Sequence, residues 1–149
     1  MNLKLTLLAA ALAVGFTGIA RAEDRADRKV HNADEERIES EYKVAKEKCD
    51  ALSGNQKDVC VAEAKSHERV AKAENDAKNA KDPGKAQARV QRVKADSEYD
   101  VAKERCDEKK GNDKDVCMKE AKVQRDKGRA AGARTERSAT TGSTAPEKR

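Results

Sequence analysis

Tryptophan is absent from these 149 residues, phenylalanine occurs once and tyrosine twice, so no core can be organised around aromatic rings. Phe16 and every leucine except Leu52 fall within the first 22 residues. Beyond them the larger apolar residues are Ile38, Met118, Leu52, two tyrosines and ten valines between Val30 and Val123. That set is too small to offset the entropy of ordering the chain around one conventional core. Catalytic signatures are missing as well. The chain has no nucleophile elbow, phosphate loop, metal-protease motif, C-x-x-C redox motif or C-x-x-C-H haem site, so no enzyme, cofactor or resident metal is expected. Acids and bases are interleaved, with no basic stripe carrying stacking aromatics, which argues against nucleic-acid binding.

The one long apolar run stands at the N-terminus. Lys4 precedes Leu5 to Ala20, and Ala20-Arg21-Ala22 has small residues where a signal peptidase needs them. This predicts a cleaved signal over 1–22, a mature chain from Glu23 to Arg149, and a periplasmic or secreted destination. The run of about 16 residues is short of the roughly 20 that span a bilayer, and no later segment is apolar enough to do so. The first cysteine, Cys49, lies too far on for lipidation of the new N-terminus.

Charge is abundant and unevenly spread. The chain is 41% charged with a net +5, and removing Lys4 and Arg21 leaves 31 bases against 28 acids, +3. From Glu23 to Asp82 the balance is −3, and from Pro83 to Arg149 it is +6. Such polarity suits an anionic envelope component such as lipopolysaccharide head groups, or head-to-tail self-association; the plainer reading is a solvated helical surface laced with ion pairs.

An internal duplication organises the rest. Ser40-Glu41-Tyr42-Lys43-Val44-Ala45-Lys46-Glu47-Lys48-Cys49-Asp50 returns 57 positions later as Ser97-Glu98-Tyr99-Asp100-Val101-Ala102-Lys103-Glu104-Arg105-Cys106-Asp107. Without a gap, Gly54-Asn55, Lys57-Asp58-Val59-Cys60 and Glu63-Ala64-Lys65 return as Gly111-Asn112, Lys114-Asp115-Val116-Cys117 and Glu120-Ala121-Lys122. Each unit reads as helix, tight turn, helix. Ile38, Tyr42, Ala45, Cys49 and Leu52 form one helical stripe. Gly54 suits a left-handed position past a helix end, and Asn55 the next N-cap with Asp58 near the helix's positive end.

Cys49 and Cys60 are equidistant from this turn, so an antiparallel hairpin sets them level, with Ala45 and Ala64 one turn further away letting the axes approach. Of three possible pairings, Cys49 with Cys60 and Cys106 with Cys117 is favoured in an exported chain. Each closure is worth on the order of 3 kcal/mol. Zinc prefers closer ligand pairs, and His67 becomes Gln124 in the second copy, so metal binding and redox-active thiols rank behind structural disulfides.

The predicted architecture is all-α, two tandem disulfide-stapled hairpins with a small core. Its parts are the signal (1–22), a flexible arm (23–33), hairpin 1 (34–81), a break at Asp82-Pro83-Gly84 (82–85), hairpin 2 (86–127) and a disordered Gly/Ala/Ser/Thr tail (128–149). Lys109 replaces Leu52 and Gly128 follows closely on Gln124, so hairpin 2 is expected to be the shorter and weaker. Val44, Val59, Val101 and Val116 lie beside the stripe, either packing the hairpins together or forming a partner surface. Lys85, Arg89, Arg92 and Lys94 occupy a stretch without an acid, a candidate anion contact or simply the start of a helix.

The doubled pattern Tyr-x-Val-Ala-Lys-Glu-basic-Cys-Asp, then Gly-Asn-x-Lys-Asp-Val-Cys, resembles small exported proteins of proteobacteria, some labelled TolA-like or cell-envelope biogenesis proteins. The resemblance covers roughly Ser40 to Lys122. It implies an envelope location and helical character, and it carries over no activity and no site residue; the membrane anchor and globular C-terminal domain of true TolA have no counterpart here. The spacing is similar to mitochondrial twin-cysteine hairpins in architecture only. The expected role is a periplasmic structural or interaction module whose partner is an envelope protein, an anionic envelope component or a second copy. The alternative is a thiol-based redox or metal-responsive protein.

Overall fold

A computed structural model describes residues 19–142, with side chains from 25 to 141, and residues 1–18 of the expected signal lie outside the described residues. Four helices follow one another: α1 Ile19–Cys49, α2 Gly54–Lys78, α3 Pro83–Cys106 and α4 Gly111–Gly142. Among the described residues there is no strand, and no helix is long and apolar enough to cross a membrane. The all-α architecture with two stapled hairpins is as expected.

Good helix formers fill the segments, and breakers mark their ends. Gly54 and Gly111 open α2 and α4 with φ of +56° and +53°, the only positive values among the described residues. Asp82 caps α3 by accepting from Lys85 N at 2.9 Å, and Pro83 takes the first helical position, where a missing N–H costs nothing. Ser53, not Asn55, precedes α2. Asn55 instead reaches across to α3, where its Nδ2 donates to Glu104 O at 2.6 Å. α1 ends at Cys49, so Leu52 falls in the turn beyond the stripe and is exposed.

Each helix packs only on its neighbours in the chain, α1 on α2, α2 on α3 and α3 on α4. The result is an open row of helices, not a closed bundle. The core is correspondingly thin and made of small residues: Ala64, Ala73, Ala88, Ala95 and Ala121 are buried with Cys49 and Cys106, and only Ile38, Val90 and Val101 add bulk. Alanines in these seams let the axes approach closely, so dispersion between backbones takes the place of large side chains.

Three expectations are corrected. Of the segment 128–149, expected to be disordered, residues 128–142 are helical within α4, and 143–149 lie outside the described residues. Its glycines are packing sites. A Cβ on Gly128 would stand 2.6 Å from Ala95 Cβ, one on Gly132 2.8 Å from Ala88 O, and Gly84 of α3 abuts Ala139. Hairpin 2 is therefore not the shorter one: α4 runs for 32 residues and packs along α3 through these glycines. The arm 23–33 is also helical, within α1. Asn75 Nδ2 donates to His31 O at 3.0 Å, and Lys78 donates to Asp34 at 2.6 Å, which ties this end to α2.

The duplication reaches further than the sequence match. The ion pair Lys72–Glu39 at 3.3 Å returns as Arg129–Asp96 at 2.9 Å, and the turn pair Lys57–Asp50 at 2.9 Å as Lys114–Asp107 at 2.7 Å. Where Asn75 reaches His31 O in the first hairpin, Gly132 comes directly against Ala88 O in the second.

Candidate functional site

The cysteines pair as favoured, Cys49 with Cys60 at a Cα separation of 5.6 Å and Cys106 with Cys117 at 5.7 Å. Cys49 and Cys106 are fully buried, and their partners are half-buried. Above each bridge lies an open groove, of about 500 Å³ in the first hairpin and about 540 Å³ in the second, floored by the disulfide and by Ala45 and Ala64 or Ala102 and Ala121. The first groove is lined by Ser40, Glu41, Glu63 and His67, but among the described residues no hydrogen bond or ion pair joins His67 to that hydroxyl or to either carboxylate, and the second copy has Gln124 in place of the imidazole.

The four valines do not act alike. Val101 is 8% exposed and shares a groove with Val70 and Ser66 of α2, whereas its counterpart Val44 on α1 is 48% exposed. Val59 on α2 is half-buried, and its counterpart Val116 on α4 is 44% exposed. Ser97 is likewise buried and Ser40 exposed. The difference is positional. α2 and α3 each have helices on both sides, while α1 and α4 close the row, so a side chain that is covered in the inner helices is left open in the outer ones. The large exposed apolar residues are Val30 and Val44 on α1, Val116 and Val123 on α4, and Leu52 in the turn.

Between the hairpins, polar contacts line the α2–α3 seam. Arg69 donates to Asp100 at 2.7 Å, Lys94 pairs with Glu74 at 2.7 Å, Arg89 with Asp76 at 3.2 Å and Arg105 with Glu63. Burial pushes the Asp100 carboxyl up, but hydrogen bonds from Arg69 and Lys103 outweigh it and hold the group below its usual range. Hydrogen bonds from Lys78 and Lys57 lower Asp34 and Asp50 in the same way.

The basic stretch of α3 is acid-free in sequence but not in space. Lys85 pairs with Asp82 at 3.3 Å, Arg89 with Asp76, Arg92 with Glu136 of α4 at 2.7 Å, and Lys94 with Glu74. These cations bind three helices together, which favours the plainer reading of the stretch as the start of a helix. Across α3 and α4, the Arg125 guanidinium lies 4.5 Å from the Tyr99 ring centre.

Among the described residues, one group of metal-ligating type, missed in the sequence because Asp76 is far from the other two, gathers His31, Glu35 and Asp76, with ligand atoms within 4.8 Å of one another. Here His31 Nε2 lies 3.4 Å from Asp76, and Arg89 supplies a cation on that carboxylate's other oxygen. The group already has the electrostatic partner a metal would provide.

No family model, curated protein or solved structure matches this chain.

Proposed function

We propose that this chain is a non-enzymatic protein of the bacterial periplasm that works by presenting helical faces to an envelope partner. One observation carries the reading: Val101, buried between the hairpins, recurs on the outer helix α1 as exposed Val44, and half-buried Val59 recurs on α4 as exposed Val116. These are apolar side chains left uncovered within the chain at positions equivalent to its own internal seam. Two intrachain disulfides fit an oxidising compartment, and open grooves whose polar side chains are not hydrogen-bonded into a catalytic set fit binding better than chemistry.

The test is site-specific photocrosslinking in envelope preparations from expressing cells. A crosslinker at residue 44 or 116 should give reproducible adducts, whereas one at exposed Lys65 on α2 should not. Adducts that are missing at 44 and 116, or indifferent to position, would refute the reading. A metal-responsive role has a single observation behind it, the His31–Glu35–Asp76 group. It requires zinc to raise the melting temperature of the wild type and leave His31→Ala unmoved.

A further inference from the structure

The duplication turns the exposed outer faces into a specific pair. α4 stands to hairpin 2 as α2 stands to hairpin 1, and α1 stands to hairpin 1 as α3 stands to hairpin 2. The free face of α4 is therefore the counterpart of the α2 face that holds α3, and the free face of α1 the counterpart of the α3 face that holds α2. We infer that α4 of one molecule docks on α1 of a second copy, reproducing between chains the seam that α2 and α3 make within one. This rests on the reading of α1 and α4 as interaction faces and supplies the partner.

The substitutions along that seam follow from moving each α2 residue forward, and each α3 residue back, by 57 positions. The Asn55 donation to Glu104 O becomes Asn112 toward Glu47 O, with the same donor and acceptor. Glu63–Arg105 becomes Glu120 with Lys48, the same charges on the same sides. Arg69–Asp100 becomes Asp126 with Lys43, the signs exchanged and complementarity kept, with Asp126 exposed and shared with Arg125 of its own helix at 2.9 Å. Val59 and Val101 become Val116 and Val44, and Ser66 becomes the apolar Val123, whereas Val70 beside Val101 becomes Lys127.

Two ion pairs have no equivalent: Glu74–Lys94 becomes Ala131 with Arg37, and Asp76–Arg89 becomes Ala133 with Asn32. The end of the seam near the turns is retained and the far end is lost, so the contact between chains is weaker than the one within. Its groups are accessible. Lys43, Lys48 and Glu120 have no ion-pair partner among the described residues, and Asn112, Glu47 and Asp126 are exposed where Asn55, Glu104 and Arg69 are half-buried. Such a contact joins two different faces, so it propagates head to tail instead of closing an isologous dimer.

Complementary blocked variants decide the matter. Val44→Asp places a carboxylate in the α1 face and Val116→Asp one in the α4 face, both at exposed sites that leave the fold intact. By sedimentation velocity, the mass of the oxidised wild-type chain should rise with concentration beyond that of two chains. Each variant alone should stay at the mass of one chain. Their equimolar mixture should form a species of two chains, because the intact α4 of the first meets the intact α1 of the second. Lys48→Glu should weaken self-association about ten-fold, and adding Glu120→Lys should restore it. A wild type that remains at the mass of one chain, a single variant that still assembles, or a mixture that forms no pair would overturn the inference. If assembly fails while crosslinks at residues 44 and 116 still capture a distinct envelope component, this inference falls and the functional reading stands. If assembly holds and those adducts consist of the chain alone, the envelope partner falls instead.

Discussion

Gly128 of α4 lies against Ala95 of α3 so closely that a methyl group added to the glycine would stand 2.6 Å from the alanine's own. In an isolated helix Gly→Ala is stabilising by about 1 kcal/mol. Here the sign should reverse. Gly128→Ala and Gly132→Ala should each destabilise the protein by about 1 to 3 kcal/mol, because α3 must be pushed away along its length. Urea denaturation measures the change. A net stabilisation would mean that α4 beyond Gln124 does not pack on α3.

That contact also marks where sequence reasoning stops. The turn and the cysteine pairing were legible because they are local: Gly54 with equidistant Cys49 and Cys60, then the same pattern around Gly111, leaves little freedom. The helix beyond Gln124 was not, because glycine and alanine have the same composition in a flexible tail and in a close-packed seam, and only the partner at Ala88 or Ala95 tells them apart. The unlike fates of Val44 and Val101 were illegible for a related reason. Identical local sequence receives different neighbours, and neighbours are a property of the row. The acid-free appearance of Lys85 to Lys94 misled because its acids, Glu74, Asp76 and Glu136, come from adjoining helices.

Reduction should not affect the two hairpins equally. Each disulfide closes a short loop worth about 3 kcal/mol, but α4 keeps its glycine–alanine seam with α3 when the second bridge is cut, whereas α1 meets α2 without such glycines. Hydrogen exchange on the reduced chain should therefore show α1 losing protection before α4. The reverse order would contradict the ranking of the two seams. In the oxidised chain Cys49 and Cys106 are fully buried, so thiol reductants should attack each bridge at its half-buried partner, Cys60 or Cys117.

Acid should loosen the docking of the hairpins. The Asp100 carboxyl is held below its usual range in the folded chain, so it binds protons more readily when unfolded. Its stabilising contribution is complete above the unfolded value and is lost as pH falls through the lowered, folded one. Asp34, Asp50 and Asp82 are shifted in the same direction. The melting temperature should hold steady near neutrality and decline from about pH 5 downward. Asp100→Asn should start lower at neutral pH and show a shallower decline. An unchanged acid slope in that variant would show that the Arg69–Asp100 pair contributes nothing to the docking.

The same substitution in the two copies should have opposite signs. Val101→Ala empties a site 8% exposed between α2 and α3 and should cost about 1 to 3 kcal/mol. Val44→Ala changes a residue 48% exposed on α1, where the better helix propensity of alanine should leave stability equal or raised by about 0.5 kcal/mol. These values apply to dilute protein, where only contacts within the chain count. As concentration rises and α1 becomes covered by another molecule's α4, Val44→Ala should begin to cost stability as well, because binding to the folded state stabilises it by mass action. Thermal melts of both variants over a range of concentrations would test this. A cost at Val101 that is independent of concentration, beside one at Val44 that grows with it, would separate the filled seam from the one awaiting a partner. A Val44 effect that is flat with concentration would leave that face without a second copy.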